Sequence, residues 1–242
     1  MATPTSVRYS DGKPQTDKSP NFSWEYPLPE NRFWSGLPFV VGRNFLSNFS
    51  AEEIEHLPID PNSTLGKDKK LELLLDLLKR RLAEKDLAAA PETYYDFDFA
   101  GWDKLWLGIF TMQDELGYPE AEQTTRMMCD RRKNKSNLSH FHTLAGILVA
   151  KGEYVEGEEM ERKVKYWLEE RLGKDSPQAL GASRIIIKAV WKQGLERRRE
   201  AEELVDDTRQ IIRQMGNGQF GVYQQMERDM FENLVEGLQK GE

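Results

Sequence analysis

The spacing of apolar residues changes character along the chain. From Lys69 to Ala90, Leu71, Leu74, Leu75, Leu78 and Leu82 recur at intervals of three and four, the period of a helix with one buried face. Leu73 and Leu77 widen the stripe, so this helix is predicted to be covered on two sides, and Pro91 ends it. Before it, Ser50-Ala51-Glu52-Glu53 reads as a capping box at the start of a short helix that Pro58 and Pro61 stop. After it, Tyr94 to Phe99 alternates acid and aromatic, which predicts a short extended connector. Beyond Ala100 the apolar positions keep helical spacing, and the predicted fold class is all-α.

The N-terminal stretch reads differently. Six of the 11 prolines fall in the first 38 residues, and proline disfavours helix both at its own position and at the one before. Residues 1–21 are expected to be a disordered tail. Residues 22–49 hold Phe22, Trp24, Tyr26, Phe33, Trp34, Phe39, Phe45 and Phe49, too many rings for a disordered segment. They are expected to form an extended, proline-rich aromatic arm that docks on something, with Trp24, Tyr26, Phe33 and Trp34 as anchors.

The second half is self-similar. Leu144 to Tyr154 and Ile186 to Gly194 are each an apolar helical run closed by a glycine, and an amphipathic helix follows each. An earlier copy runs from Trp106 to Gly117. Gly117, Gly152 and Gly194 lie 35 and then 42 residues apart. Helix, glycine turn, small residue, helix at this period resembles a tetratricopeptide repeat. The segments Gly152-Glu153-Tyr154, Ala201-Glu202-Glu203-Leu204 and Leu172-Gly173-Lys174-Asp175-Ser176-Pro177 resemble the kinesin-light-chain type, whose repeat is about 42 residues. The resemblance implies a short solenoid of antiparallel helix pairs, with repeats at about 102–133, 138–173 and 177–216. The leucine-rich helix and a helix over 219–239 would cap its ends. One domain over 50–242 is expected, because a pair this short buries one face only and pairs must stack to share a core.

The same resemblance implies a partner: solenoids of this type bind extended peptides along the first helix of each pair. Registered on the glycines, that face carries Lys104, Leu107, Thr111 and Asp114 in the first repeat. The second offers Ser139, His142, Gly146 and Val149, and the third Arg184, Lys188, Trp191 and Lys192. Arg184 and Lys188 are four apart on one helical face, with an indole a turn later, a combination suited to an acidic or C-terminal carboxylate. The competing reading of Trp191 is core, with both cations solvated.

Composition narrows the function further. The chain has 242 residues, a formal charge of -7, a pI near 5.3 and a mean hydropathy of -0.69, which argue against a nucleic-acid or membrane partner. A lone Cys129 excludes an intrachain disulfide and fits a reducing, cytoplasmic setting. No signal-peptide pattern opens the chain, so the sequons at Asn21, Asn48, Asn62 and Asn137 are expected to be silent. No metal site is expected: on a helix His140 and His142 point to opposite sides. Asp96 and Asp98 are candidate paired carboxylates, with a solvated edge as the simpler reading. Lys79-Arg80-Arg81 and Arg131-Arg132-Lys133 read as cations at helix ends, and Arg197-Arg198-Arg199 as a turn open to a partner. Together these predict a peptide- or protein-binding adaptor without cofactor or chemistry of its own, regulated or oligomerised through its arm. The alternative is a small-molecule or enzymatic pocket lined by Tyr94, Tyr95, Trp102 and Trp106, with His142 and Trp191.

Overall fold

A computed structural model describes the backbone of residues 6–7 and 26–27 and the whole of residues 28–134 and 136–241. Trp24 and most of the expected tail lie outside the described residues, as does the Tyr26 side chain. Two-residue strands β1 (Ser6–Val7) and β2 (Tyr26–Pro27) pair antiparallel, and among the described residues every other regular element is helical. The chain divides into two compact units, residues 1–128 and 129–242, where the sequence suggested one domain from residue 50.

The first unit is built around α1 (Phe39–Leu46), α2 (Ala51–Glu55), α3 (Lys67–Ala89), α4 (Tyr94–Phe97) and α5 (Phe99–Glu115). It also holds the start of α6 (Glu120–Arg131). Leu71, Leu74, Leu75 and Leu78 are buried as the stripe predicts, and Leu73, Leu77 and Leu82 pack partly buried on the same core. The capping box is present, with Ser50 Oγ accepting from the Glu53 amide and Glu53 Oε2 from the Ser50 amide. The α5 helix packs on α1, α3 and α4 and supplies Trp102, Leu105, Ile109 and Met112 to the core.

Two expectations are corrected here. Residues 39–46, expected to be part of an extended arm, are helical, and the expected anchors Phe33 and Trp34 are buried in a core with Val41, Phe45 and Leu46. Pro38 sits outside the first helical turn, where a missing amide costs nothing, and burial of Val41 and Phe45 holds the helix despite its valines. The approach of α1 to α5 requires Gly108, where a β-carbon would stand 2.9 Å from the Asn44 carbonyl oxygen. The connector at 94–99 is the second correction. Thr93 caps α4 by accepting from the Asp96 amide, and Asp98 caps α5 by accepting from the Gly101 amide. The alternating acids that imitate a strand are helix-end residues.

The second unit contains α7 (Ser139–Lys151), α8 (Tyr154–Leu172), α9 (Pro177–Lys192), α10 (Arg198–Gln214) and α11 (Gln224–Lys240). Gly152 and Gly194 end α7 and α9 at φ 93° and 124°, conformations that side-chain-bearing residues avoid. Ser176 caps α9 and Pro177 opens it. Each helix packs on the next, and in addition α9 packs on both α7 and α11. Hydrogen bonds between α9 and α11 join residues 43 and 47 apart, Arg184 to Glu227 and Trp191 to Leu238, so these helices run parallel. Arg162 and Glu200 on α8 and α10 are joined at a separation of 38.

A buried ionic cluster ties these layers together. Glu158 on α8 accepts from Arg162 at 2.7 Å, from Arg197 at 2.5 and 3.0 Å, and from Gln193 at 2.5 Å. Burial pushes its carboxyl up, but hydrogen bonds from Arg197, Gln193 and Arg162 outweigh that and hold it at about 2. Since the folded value lies below the ordinary 4.5, this stabilisation is complete above 4.5 and drains away as pH falls towards about 2. Glu158→Gln should therefore cost about 2–3 kcal/mol near neutral pH and much less near pH 3, measured by urea unfolding at both. An equal cost at the two pH values would show that the charge is not what matters.

Candidate functional site

The residues expected on the first repeat's ligand face are already engaged. Lys104 donates to the Ser47 carbonyl at 2.9 Å, and Thr111, buried, accepts from Asn44 Nδ2 at 2.8 Å and donates to the Leu107 carbonyl. Helix α1 thus covers this face of α5, leaving Asp114 exposed beyond it. Tyr94, Tyr95, Trp102 and Trp106 also belong to this unit. Tyr95 meets Phe99 and Trp102 edge-on at 5.6 and 5.1 Å, and Trp102 lies 6.2 Å from Trp106. Three of the rings that were to line a pocket, Tyr95, Trp102 and Trp106, thus pack in a row with Phe99.

In the second unit the predicted residues divide. Val149 and Trp191 are buried. The Trp191 indole donates to the Leu238 carbonyl at 3.1 Å, and the Arg198 guanidinium lies 3.7 Å from its ring centre. This is a core tryptophan, stacked by a cation of the basic turn, and Arg197 and Arg199 of that turn are spent on Glu158, Glu200 and Glu203. Ser139 stays exposed at the start of α7, and Gly146 faces Ile185. Lys188 and Lys192 are half-buried, with no ion pair among the described residues.

His142 and Arg184 behave otherwise: the fold brings them together. A β-carbon added at Gly181, on α9, would lie 3.6 Å from His142 Nε2 and 3.7 Å from Arg184 Nη2. Across from the glycine the nearest atoms all belong to these two side chains, so the missing side chain leaves a notch bordered by an imidazole from α7 and a guanidinium from α9. Glycine in a helix interior is less stable than alanine by about 0.5–1 kcal/mol, and the notch is what that cost maintains.

Each of these two side chains is backed by a buried acid. His142 Nδ1 is 2.5 Å from Glu161 Oε1 on α8, and Arg184 Nη1 donates to Glu227 Oε2 on α11. The two carboxyl side chains are 0% exposed, while His142 and Arg184 keep 34% and 20% of their side-chain surface. Burial pushes both carboxyls up, and the neighbouring His142 and Arg184 only partly reverse this. Glu161 Oε2 and Glu227 Oε1 are buried without a hydrogen bond. Such orphans cost on the order of 1–3 kcal/mol each, so the acids serve to orient His142 and Arg184 at a cost in stability. With Nδ1 turned to Glu161, Nε2 is the ring nitrogen left on the Gly181 side.

Neither acid was singled out from the sequence, although both carried a signal. Glu161, Val164 and Leu168 lie at three and four spacing, as do Glu227, Phe231, Val235 and Leu238, so each acid sits inside an apolar stripe. A separate cleft of about 470 Å³ lies between α8, α9 and α10, floored by Ile186 and Ile187 and rimmed by Lys165, Lys174 and Asp207. No group of three His, Cys, Asp or Glu among the described residues could hold a metal, and no described helix is long and apolar enough to cross a membrane. Comparison with protein-family models, with curated proteins and with solved structures gives no match for this chain.

Proposed function

We propose that residues 129–242 form a helical-repeat binding module of the tetratricopeptide kind, taking a protein or peptide partner along α7, α9 and α11. The observation that carries this reading is the packing of α9 against α7 on one side and α11 on the other. Its contacts with α11 recur at separations of 43 and 47, close to the repeat of about 42 that the glycine turns suggest. That layer carries Arg184, Lys188 and His142 at its surface, and the partners compatible with it are acidic. The first unit contributes no open equivalent, since α1 lies over the corresponding face of α5. Burial of Phe45 makes that cover a permanent part of the core and speaks against a regulatory arm that comes and goes.

The test is a peptide-display selection on the full-length chain, followed by mapping of amide shifts on titration with the selected peptide. Shifts should concentrate on Gly146, Ile185, Lys188 and Leu234, on the three helices named. Shifts confined to α8 and α10, around the cleft floored by Ile186 and Ile187, would overturn the assignment and point to the opposite surface.

A further inference from the structure

We infer that the notch over Gly181 is a carboxylate-binding subsite, in which His142 Nε2 and Arg184 Nη2 each take one oxygen of an acidic group on the partner. The inference deepens the repeat-module reading and rests on it for the identity of the ligand as a peptide. The geometry is its own support.

Each donor has a nitrogen already committed. Nδ1 of His142 is held by Glu161 and Nη1 of Arg184 by Glu227, and the nitrogens nearest Gly181 are Nε2 and Nη2. The two lie 3.6 and 3.7 Å from where a β-carbon of residue 181 would stand, so they are no more than about 7 Å apart, a span that one carboxylate can bridge by accepting through both oxygens. A carboxylate has two oxygens to satisfy two donors, whereas a phosphate would leave oxygens unmatched. A ligand carboxylate there would complete a chain of hydrogen bonds running from Glu161 through His142 to the ligand, and from the ligand through Arg184 to Glu227. Lys188, one turn further along the same face of α9, adds a cation without an ion pair among the described residues, towards which the rest of an acidic ligand would run. Both donors are anchored from behind by side chains that no solvent reaches, which is the preorganisation a small-anion site needs.

The experiment uses the full-length chain and two kinds of probe. Succinate, as a bare dicarboxylate, is titrated while the His142 ring signals are followed, and its effect is compared with that of inorganic phosphate. The display-selected peptide is then measured with a free and with an amidated C-terminus, and with its acidic side chains replaced one at a time by amides. Succinate should move the His142 signals more than phosphate does. One carboxylate of the peptide, terminal or side-chain, should account for about a tenfold loss of affinity when neutralised. Gly181→Leu fills the notch while favouring the helix, and should lower affinity for that peptide about tenfold or more with thermal stability kept or raised. His142→Gln and Arg184→Lys should each weaken binding to a smaller degree.

If the peptide binds on α7, α9 and α11 but Gly181→Leu leaves its affinity unchanged, the subsite is wrong and the module stands. If no peptide binds yet succinate moves His142 and Gly181→Leu abolishes the effect, the subsite stands and the module reading fails. Stronger perturbation by phosphate than by succinate would overturn the ligand class.

Discussion

Replacing Phe45 by alanine is expected to remove about 3–5 kcal/mol from the first unit, enough to unfold it or bring it close to unfolding. The side chain is 0% exposed and meets Trp34 and Phe49 at 5.8 and 5.0 Å between ring centres. It belongs to the cluster that joins Phe33 and Trp34 to the leucines of α3 and to Trp102 and Ile109 of α5. Truncation would leave a ring-sized cavity at the junction of three segments that cannot all move to fill it. The effect should be local. Hydrogen exchange should rise throughout α1, α3 and α5 and remain unchanged in α9 and α11, because two compact units need not melt together. Phe97→Ala supplies the control: that ring is 71% exposed, and its loss should change stability by less than about 0.5 kcal/mol. Deletion of residues 1–49 should act like Phe45→Ala and more strongly, since it removes Phe33 and Trp34 as well. A change below about 1 kcal/mol for Phe45→Ala would mean that this segment does not help to hold the core of the unit together.

That contrast shows where local sequence signals end. The leucine stripe of α3, the capping box of α2 and the glycine turns after α7 and α9 are local features, and local spacing predicts them. Helix α1 is not local: Phe39-Val40-Val41-Gly42 has weak helical propensity, and only the core it enters makes it a helix. The acids of 94–99 mislead for the opposite reason, since Asp98 acts within three residues as a cap yet reads as strand alternation. The notch repeats the pattern. His142 and Arg184 are found by counting from the glycines, because a repeat register places them on one face. Their partners Glu161 and Glu227 come from α8 and α11, and no spacing within α7 or α9 points to them. Trp191 is lost to the core by its interval of four from Ile187, the ordinary stripe of a buried helix face.

Arg184→Met should destabilise the second unit by about 3 kcal/mol at neutral pH, and by clearly less near pH 5. The reason lies in Glu227, which is 0% exposed, has Oε1 without any hydrogen bond, and has Arg184 as its one ion-pair partner among the described residues. Burial already pushes its carboxyl above 4.5, and Arg184 is what draws it back. Without the guanidinium the folded value rises further while the unfolded value stays at 4.5. A carboxyl with a raised folded value binds its proton more tightly in the native state, so the penalty is absent below 4.5 and grows as pH rises through the folded value. Removing both charges together relieves it: Arg184→Met with Glu227→Met replaces a buried ion pair by packed side chains and should be neutral or stabilising. The pair should therefore behave non-additively, the double variant being more stable than the single one by about 3 kcal/mol at neutral pH. Urea midpoints of the three proteins at neutral pH and near pH 5 decide the matter. Equal destabilisation of single and double variants would make Arg184 a packing residue, and Glu227 would have no hand in aiming it at the notch.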